Sequence, residues 1–357
     1  MEGKLKAKIA MSDARAFNSV MVRMGVTAFI QAATQKQLSA NCKVYESACC
    51  IYKVAIGGST AFSDVIRYEK EVRAEIASGR KKLGLYDKNM SVRFDAEPFL
   101  TVEVDPPSGY FLDVENELQH TLWASQIGRS FAIDGEHPMI YDLAKHHQTL
   151  VAAISGHGKS VLVRNCILGL IQNSTPEQLS LFLIDFKNDD LALFKNIKHT
   201  KRFAWTESEA IEVIETIRTE VDNRIAQTDY KIKNRILLVI DEGAELDKSL
   251  DDTIASIMKM GRSLGIHVLF ATQYPTAAQI GTKTARAFTH RFIGRCDNAS
   301  SALWATGMSN SGAELLKKAG SFLYVFGGQA DRFQTYRYAP ELEERIVKSQ
   351  TKYGRKK

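Results

Sequence analysis

The stretch "VAAISGHGKS", residues 151–160, follows a run of small apolar residues with two glycines, a lysine and a serine on one turn. Those residue types suit a loop that holds phosphate. Glycines let the backbone approach closely, successive N–H groups converge on the oxyanions, and the positive end of the following helix reinforces them. On this reading Ser155, Gly156, His157, Gly158, Lys159, Ser160 and Val161 surround a nucleotide. Lys159 balances the β- and γ-phosphates of ATP, and the Ser160 hydroxyl ligates Mg²⁺. The pattern departs from G-x-x-x-x-G-K-[ST] at its first position, which is Ala153. Alanine fits there if the position has negative φ.

A second constellation is "ILLVIDEGAEL". An apolar strand delivers Asp241 and Glu242 at its C-terminal end, where open α/β sheets bind their ligands. Asp241 is expected to hold the Mg²⁺ hydration shell, and Glu242 to orient and polarise an attacking water. In "HVLFATQYP" a strand ends at Thr272 and Gln273, placing an amide where it can sense a γ-phosphate. "LFLIDFK" ends another strand at the same edge with Asp185 and Lys187. Lys187 reaches either the nucleotide or a neighbouring subunit, and a plain surface ion pair is the competing reading. Phosphoryl transfer often draws an arginine from a second subunit, and Arg262, Arg291 and Arg295 are the candidates.

The elements that must position these groups are legible as short apolar runs. "QTLVAAI", "LSLFLID", "RILLVID", "IHVLFAT", "HRFIG" and "SFLYVFG" alternate with helical segments such as "ESEAIEVIETIRTEVDNRIA". Runs of this kind indicate a mostly parallel sheet covered on both faces. Upstream, residues 12–38 have helical character, and "CKVYESACCIYKVAI" is β-prone. "FSDVIRYEKEVRAEIASG" reads as one amphipathic helix with Gly79 as its stop, and "MSVRFDAEPFLTVEVDPP" as two strands around a turn at Glu97-Pro98. The Pro106-Pro107-Ser108-Gly109 stretch is the expected domain boundary.

The chain has 357 residues, room for two domains, with 45% apolar and 25% charged residues. No run of eighteen apolar residues or signal-peptide core is present, so the cytoplasm is the expected compartment. The five cysteines, Cys42, Cys49, Cys50, Cys166 and Cys296, show no zinc spacing and read as reduced thiols. A net charge of +6 permits a polyanionic partner. The basic end "KSQTKYGRKK" is either a solvated tail or an arm on a phosphate backbone.

Taken in order, these blocks resemble the FtsK/SpoIIIE DNA translocases of the FtsK–HerA superfamily. "GRSFAIDGEHPMIYDLAKHHQTLVAAISGHGKS" is similar to the family's approach to its phosphate loop, and "LFLIDFK" to its Ile-Asp-Pro-Lys block, with Phe186 at the proline. "GRSLGIHVLFATQYPT" is similar to its Arg-x-x-Gly-Ile-His…Ala-Thr-Gln-Arg-Pro signature, with Tyr274 at the arginine. "THRFIGRCDNASSALWATG" and "GSFLYVFGG" resemble its closing strands. The resemblance implies an α/β fold, a RecA-like P-loop motor domain preceded by a small α/β domain. The composition shifts divide the chain into an N-terminal helical segment at 1–40, a small α/β domain at 41–110, the motor at 111–340 and a basic tail at 341–357. The resemblance further implies an ATPase that assembles as a ring, usually a hexamer, around double-stranded DNA without reading its sequence. One DNA-contacting loop of the family matches "TAAQIGTKTARAF", which offers Lys283 and Arg286. No membrane-spanning segment and no winged-helix module are expected, and packaging or transfer of mobile-element, plasmid or viral DNA suits such a motor. The alternative is a secretion or conjugation-coupling ATPase acting on protein or nucleoprotein.

Overall fold

The computed structural model describes residues 3–44, 50–85, 92–95, 100–104, 112–114, 118, 121–132, 135–227 and 231–351. The chain forms two compact units, one of residues 1–110 with 130–137, the other of residues 111–129 with 138–357.

In the first unit a four-stranded antiparallel sheet runs in the order Cys42–Val44, Cys50–Lys53, Thr101–Val104, Val92–Asp95. The helices Gly3–Arg23 and Glu69–Lys82 share its core through Phe17, Val20, Val72 and Ile76. The helical segment and the sheet, separated in the sequence reading at residue 40, therefore lie within one unit. The first helix also starts earlier than expected and stops at Arg23, before the positive-φ Gly25. The expected single helix from Phe62 is two, Phe62–Ile66 and Glu69–Lys82. Gly79 does not stop the second. It lies inside it, where an added Cβ would come 2.6 Å from Ser12 Oγ, so the glycine lets two helices approach. An Asp13–Arg80 ion pair of 2.7 Å is fully buried there, and Tyr52 donates to Asp13 at 2.8 Å. Glu97-Pro98 and the stretch 106–109 lie outside the described residues.

The second unit is built on a large, mostly parallel sheet. Six parallel neighbours come first, in the order Thr200–Ala204, Leu179–Asp185, Arg235–Asp241, Ile266–Thr272, Gln148–Ala152, His290–Ile293. Ser321–Phe326 and Gln329–Tyr338 follow as antiparallel strands. Every residue of Leu179–Asp185 and Ile266–Thr272 is buried, as expected for strands covered on both faces. Leu162, Ile167 and Phe292 belong to the core on one face, Ile217, Ile257 and Phe270 to the core on the other. The fold is the mostly parallel α/β architecture expected from the apolar runs. The C-terminal segment differs from a free tail: Pro340–Ser349 is a helix that buries Leu342, Ile346 and Val347, and Lys198 N–H donates to Gln350 O at 2.8 Å. Residues 352–357 lie outside the described ones. No described helix is long and apolar enough to cross a membrane.

Candidate nucleotide site

The six parallel strands point their C-terminal ends to one edge, and the turn after Gln148–Ala152 lies there. Gly156 (φ 76°) and Gly158 (φ 92°) adopt the left-handed backbone that glycine tolerates, and the helix Lys159–Asn173 starts immediately after. The amides of Gly156, Gly158 and Lys159 donate to no described group, leaving an N–H cradle at a helix start. Ala153 is not among the positive-φ residues, which meets the condition for alanine at this position. Its methyl fits because Gly294 lies beside it; a Cβ on Gly294 would come 2.7 Å from Ala153 Cβ and 3.0 Å from Phe322 Cε1.

Lys159 is buried and ion-paired with Asp241, and its Nζ lies 3.4 Å from Glu242 Oε1. Ser160 Oγ donates to Asp190. Glu242 ends the strand Arg235–Asp241 in the left-handed region (φ 52°), which turns its side chain out of the strand's alternation. The residue after it must be glycine, since a Cβ on Gly243 would come 2.1 Å from the Phe270 ring. Glu242 Oε1 accepts from Lys187 Nζ at 2.6 Å and from Gln273 Nε2 at 2.8 Å. Burial alone would raise the Glu242 carboxyl, but those two hydrogen bonds and the Lys159 charge outweigh it and hold the group below its ordinary value. Burial holds Asp241 above the usual aspartate range despite Lys159. Asp241 Oδ2 is buried without a hydrogen-bond partner. A buried, unpartnered carboxylate oxygen and a hydroxyl at the start of the loop helix are hard oxygen donors of the kind Mg²⁺ takes, so the donor chemistry of Asp241 and Ser160 fits that ion.

Asp185 is placed differently from expectation. Its Oδ1 accepts from Lys187 N–H, and its Oδ2 from the Asp189 and Leu191 amides at 3.0 and 2.9 Å. Both oxygens are spent fixing the turn at 186–191, so Asp185 shapes the loop that carries Lys187 and Asp190. Asp190 is the residue that sequence reasoning missed. It lies in "FKNDD", beside the two residues singled out, and only the fold brings it to Ser160.

The three arginines separate. Arg295 lies in the wall of a small pocket with Ala153, Ile154 and Gln273, on the same edge as the loop, and its buried Nε has no partner. Arg291 donates to Ala305 O at 2.9 Å and Trp304 O at 3.3 Å, capping the helix Ala299–Thr306 of its own chain rather than projecting from it. Arg262 lies in the last turn of the helix Asp251–Leu264, just before the strand Ile266–Thr272 begins, at the opposite edge of the sheet. The expected loop after Pro275 contains two short helices, Ala277–Ile280 and Thr282–Ala287. Lys283 and Arg286 are exposed on the second, and Lys283 Nζ lies 2.6 Å from Asp252. Exposed pairs of this kind contribute little.

Residues 115–228 match the FtsK/SpoIIIE family. The DNA translocase FtsK of Leptospira interrogans serogroup Icterohaemorrhagiae serovar copenhageni is 30% identical over 244 residues, covering 60% of this chain and 25% of that protein. Its Treponema pallidum counterpart is 32% identical over 169 residues, covering 40% and 21%. The chain thus spans about a quarter of the length of these relatives. Among solved structures, the pCW3 conjugation coupling protein TcpA, in its monomer form with ATPγS, aligns with a TM-score of 0.56 at 15% identity. That alignment covers 98% of this chain and all of that one. ATPases 2 and 3 of EssC from Geobacillus thermodenitrificans align with a TM-score of 0.59 at 17% identity, covering 69% of this chain and 52% of that one. The fold is that of these P-loop ATPases, and the resemblance read in the sequence holds.

Proposed function

We propose that this chain, with its FtsK/SpoIIIE segment, is an ATP-driven translocase of double-stranded DNA that works as a homo-oligomeric ring. The observation that carries the reading is the convergence of Lys159, Asp241, Glu242 and Gln273 at the strand edge that bears the glycine cradle. Bound Mg²⁺ would supply charge neutralisation at the phosphates, held through Ser160 and Asp241. Lys159 takes up the β/γ-phosphate charge, which requires it to exchange Asp241 for the nucleotide. Glu242 accepts a proton from water, and Gln273, bonded to the same carboxylate, links the base to the γ-phosphate position. Arg295 stabilises charge from the wall of its own chain's pocket. Lys283 and Arg286 contact the DNA backbone without base readout.

The test is ATP turnover with and without long duplex DNA. Stimulation by two unrelated duplexes alike supports the reading, and no response to either overturns it. The coupling-ATPase alternative is favoured by one observation: the alignment with TcpA covers 98% of the chain and so includes the first unit, whereas the two translocase relatives above cover 60% and 40% of it. Turnover that ignores duplex DNA and responds to a nucleoprotein substrate would select it.

A further inference from the structure

The fold brings together residues that the sequence assigned to separate tasks. Arg262, a candidate for a neighbour's nucleotide, and Lys283 and Arg286, candidates for DNA, line one groove of about 700 Å³ at the sheet edge opposite the phosphate loop. Lys145 and Lys259 also line it, beside a neutral wall that includes His146, His290, Met258 and Tyr324. The helix Asp251–Leu264 supplies Lys259 and Arg262, and the helix packed against it supplies Lys283 and Arg286. Each pair is spaced i, i+3, so each helix carries its two cationic residues on one side, their Cβ atoms about 5–6 Å apart. All five side chains are exposed, and no carboxylate lines the groove among the described residues. Lys145, Lys259, Arg262 and Arg286 form no ion pair there, and only Lys283 has one, to the exposed Asp252.

Five cations held in a concave surface with almost no internal neutralisation repel one another. Such an array is favourable when an external polyanion supplies the missing charge. We infer that this groove grips a run of nucleic-acid backbone phosphates, with Lys145, Lys259 and Arg262 extending the contact made by Lys283 and Arg286. Two cation rows on adjacent helices suit a strand lying between them better than a single γ-phosphate. The inference rests on the translocase reading and moves Arg262 from a neighbour's nucleotide to the DNA.

The experiment measures binding of a 30-base-pair duplex (roughly three helical turns) by fluorescence anisotropy across a salt series. It uses the full chain and a Lys145→Ala/Lys259→Ala/Arg262→Ala variant, with thermal melting to confirm the fold. Each neutralised phosphate contributes about −0.9 to the log–log slope. The variant's slope should be shallower by up to about three, for both of two unrelated sequences. A wild-type protein that binds no duplex overturns the translocase reading and the groove with it. A wild-type protein that binds, beside a variant with unchanged slope, overturns the groove alone. Lys259→Arg, which keeps the charge, should restore the part of the slope lost in Lys259→Ala; failure to do so would assign the loss to packing and refute the contact.

Discussion

Lys187 Nζ lies 2.6 Å from Glu242 Oε1, on the carboxylate oxygen that also accepts from Gln273. The group assigned to activate water is therefore held by a cation from a different strand end. Lys187→Met removes the hydrogen bond and the charge together, so the Glu242 carboxyl should move up toward its ordinary value. A base needs its deprotonated form, and a higher pKa moves the acidic limb of the kcat/KM profile to higher pH. An unmoved limb would show that Lys187 does not tune Glu242.

Lys159→Ala and Glu242→Gln should fail in different ways. The first removes the charge that balances the β/γ-phosphates, and calorimetry with an ATP analogue should detect no binding. The second keeps shape and loses the base, so the analogue should bind while turnover drops by about 10²–10⁴. Turnover near wild type in Glu242→Gln would assign water activation to another group.

Gly243→Ala is expected to be costly for a geometric reason. Its Cβ would overlap the Phe270 ring in the core, and such overpacking costs about 1–3 kcal/mol. The melting temperature should fall by several degrees, with nucleotide turnover reduced because Glu242 is adjacent. A melting temperature equal to wild type would mean that Phe270 yields freely.

Stability should depend on pH through His146 and His290, whose rings lie 4.8 Å apart. Burial pushes both down to about 4 from an ordinary value near 6.5. The unfolded chain then binds more protons between those values, so stability is fully present above about pH 6.5 and is lost as pH falls toward 4. Melting curves from pH 7.5 to 4.5 measure it. His146→Gln cannot charge and should flatten part of the slope; an undiminished slope would implicate other groups.

Most of the candidate nucleotide site was legible because its residues sit at strand ends, and a buried strand followed by a polar turn is a local pattern. Lys159, Asp241, Glu242 and Gln273 could be placed at one edge from the order of the apolar runs alone. The roles of Asp185 and Asp190 were not legible, since neighbouring aspartates look alike until backbone amides claim one of them. Arg291 misled for a similar reason: a strand arginine near the motif carries no local sign that carbonyls of its own chain will take its donors. Gly79 read as a stop because its packing partner, Ser12, is 67 residues away in sequence. The groove needed the fold entirely, because Lys145, Lys259 and Arg286 come from three separated segments.

Ala153 and Gly294, each just past the end of one of two adjacent strands, divide the space for one methyl group. The pair should therefore behave as a compensating couple rather than as two independent positions. In this chain a glycine at 153 would leave room for a side chain at 294, limited by the Phe322 ring edge, whereas Ala153 requires glycine there. In thermal melts Ala153→Gly alone should match wild type, Gly294→Ala alone should melt lower, and the double substitution should recover much of the loss; a double variant that melts no higher than Gly294→Ala would refute the coupling. The room at the first loop position is thus set by a residue some 140 positions downstream.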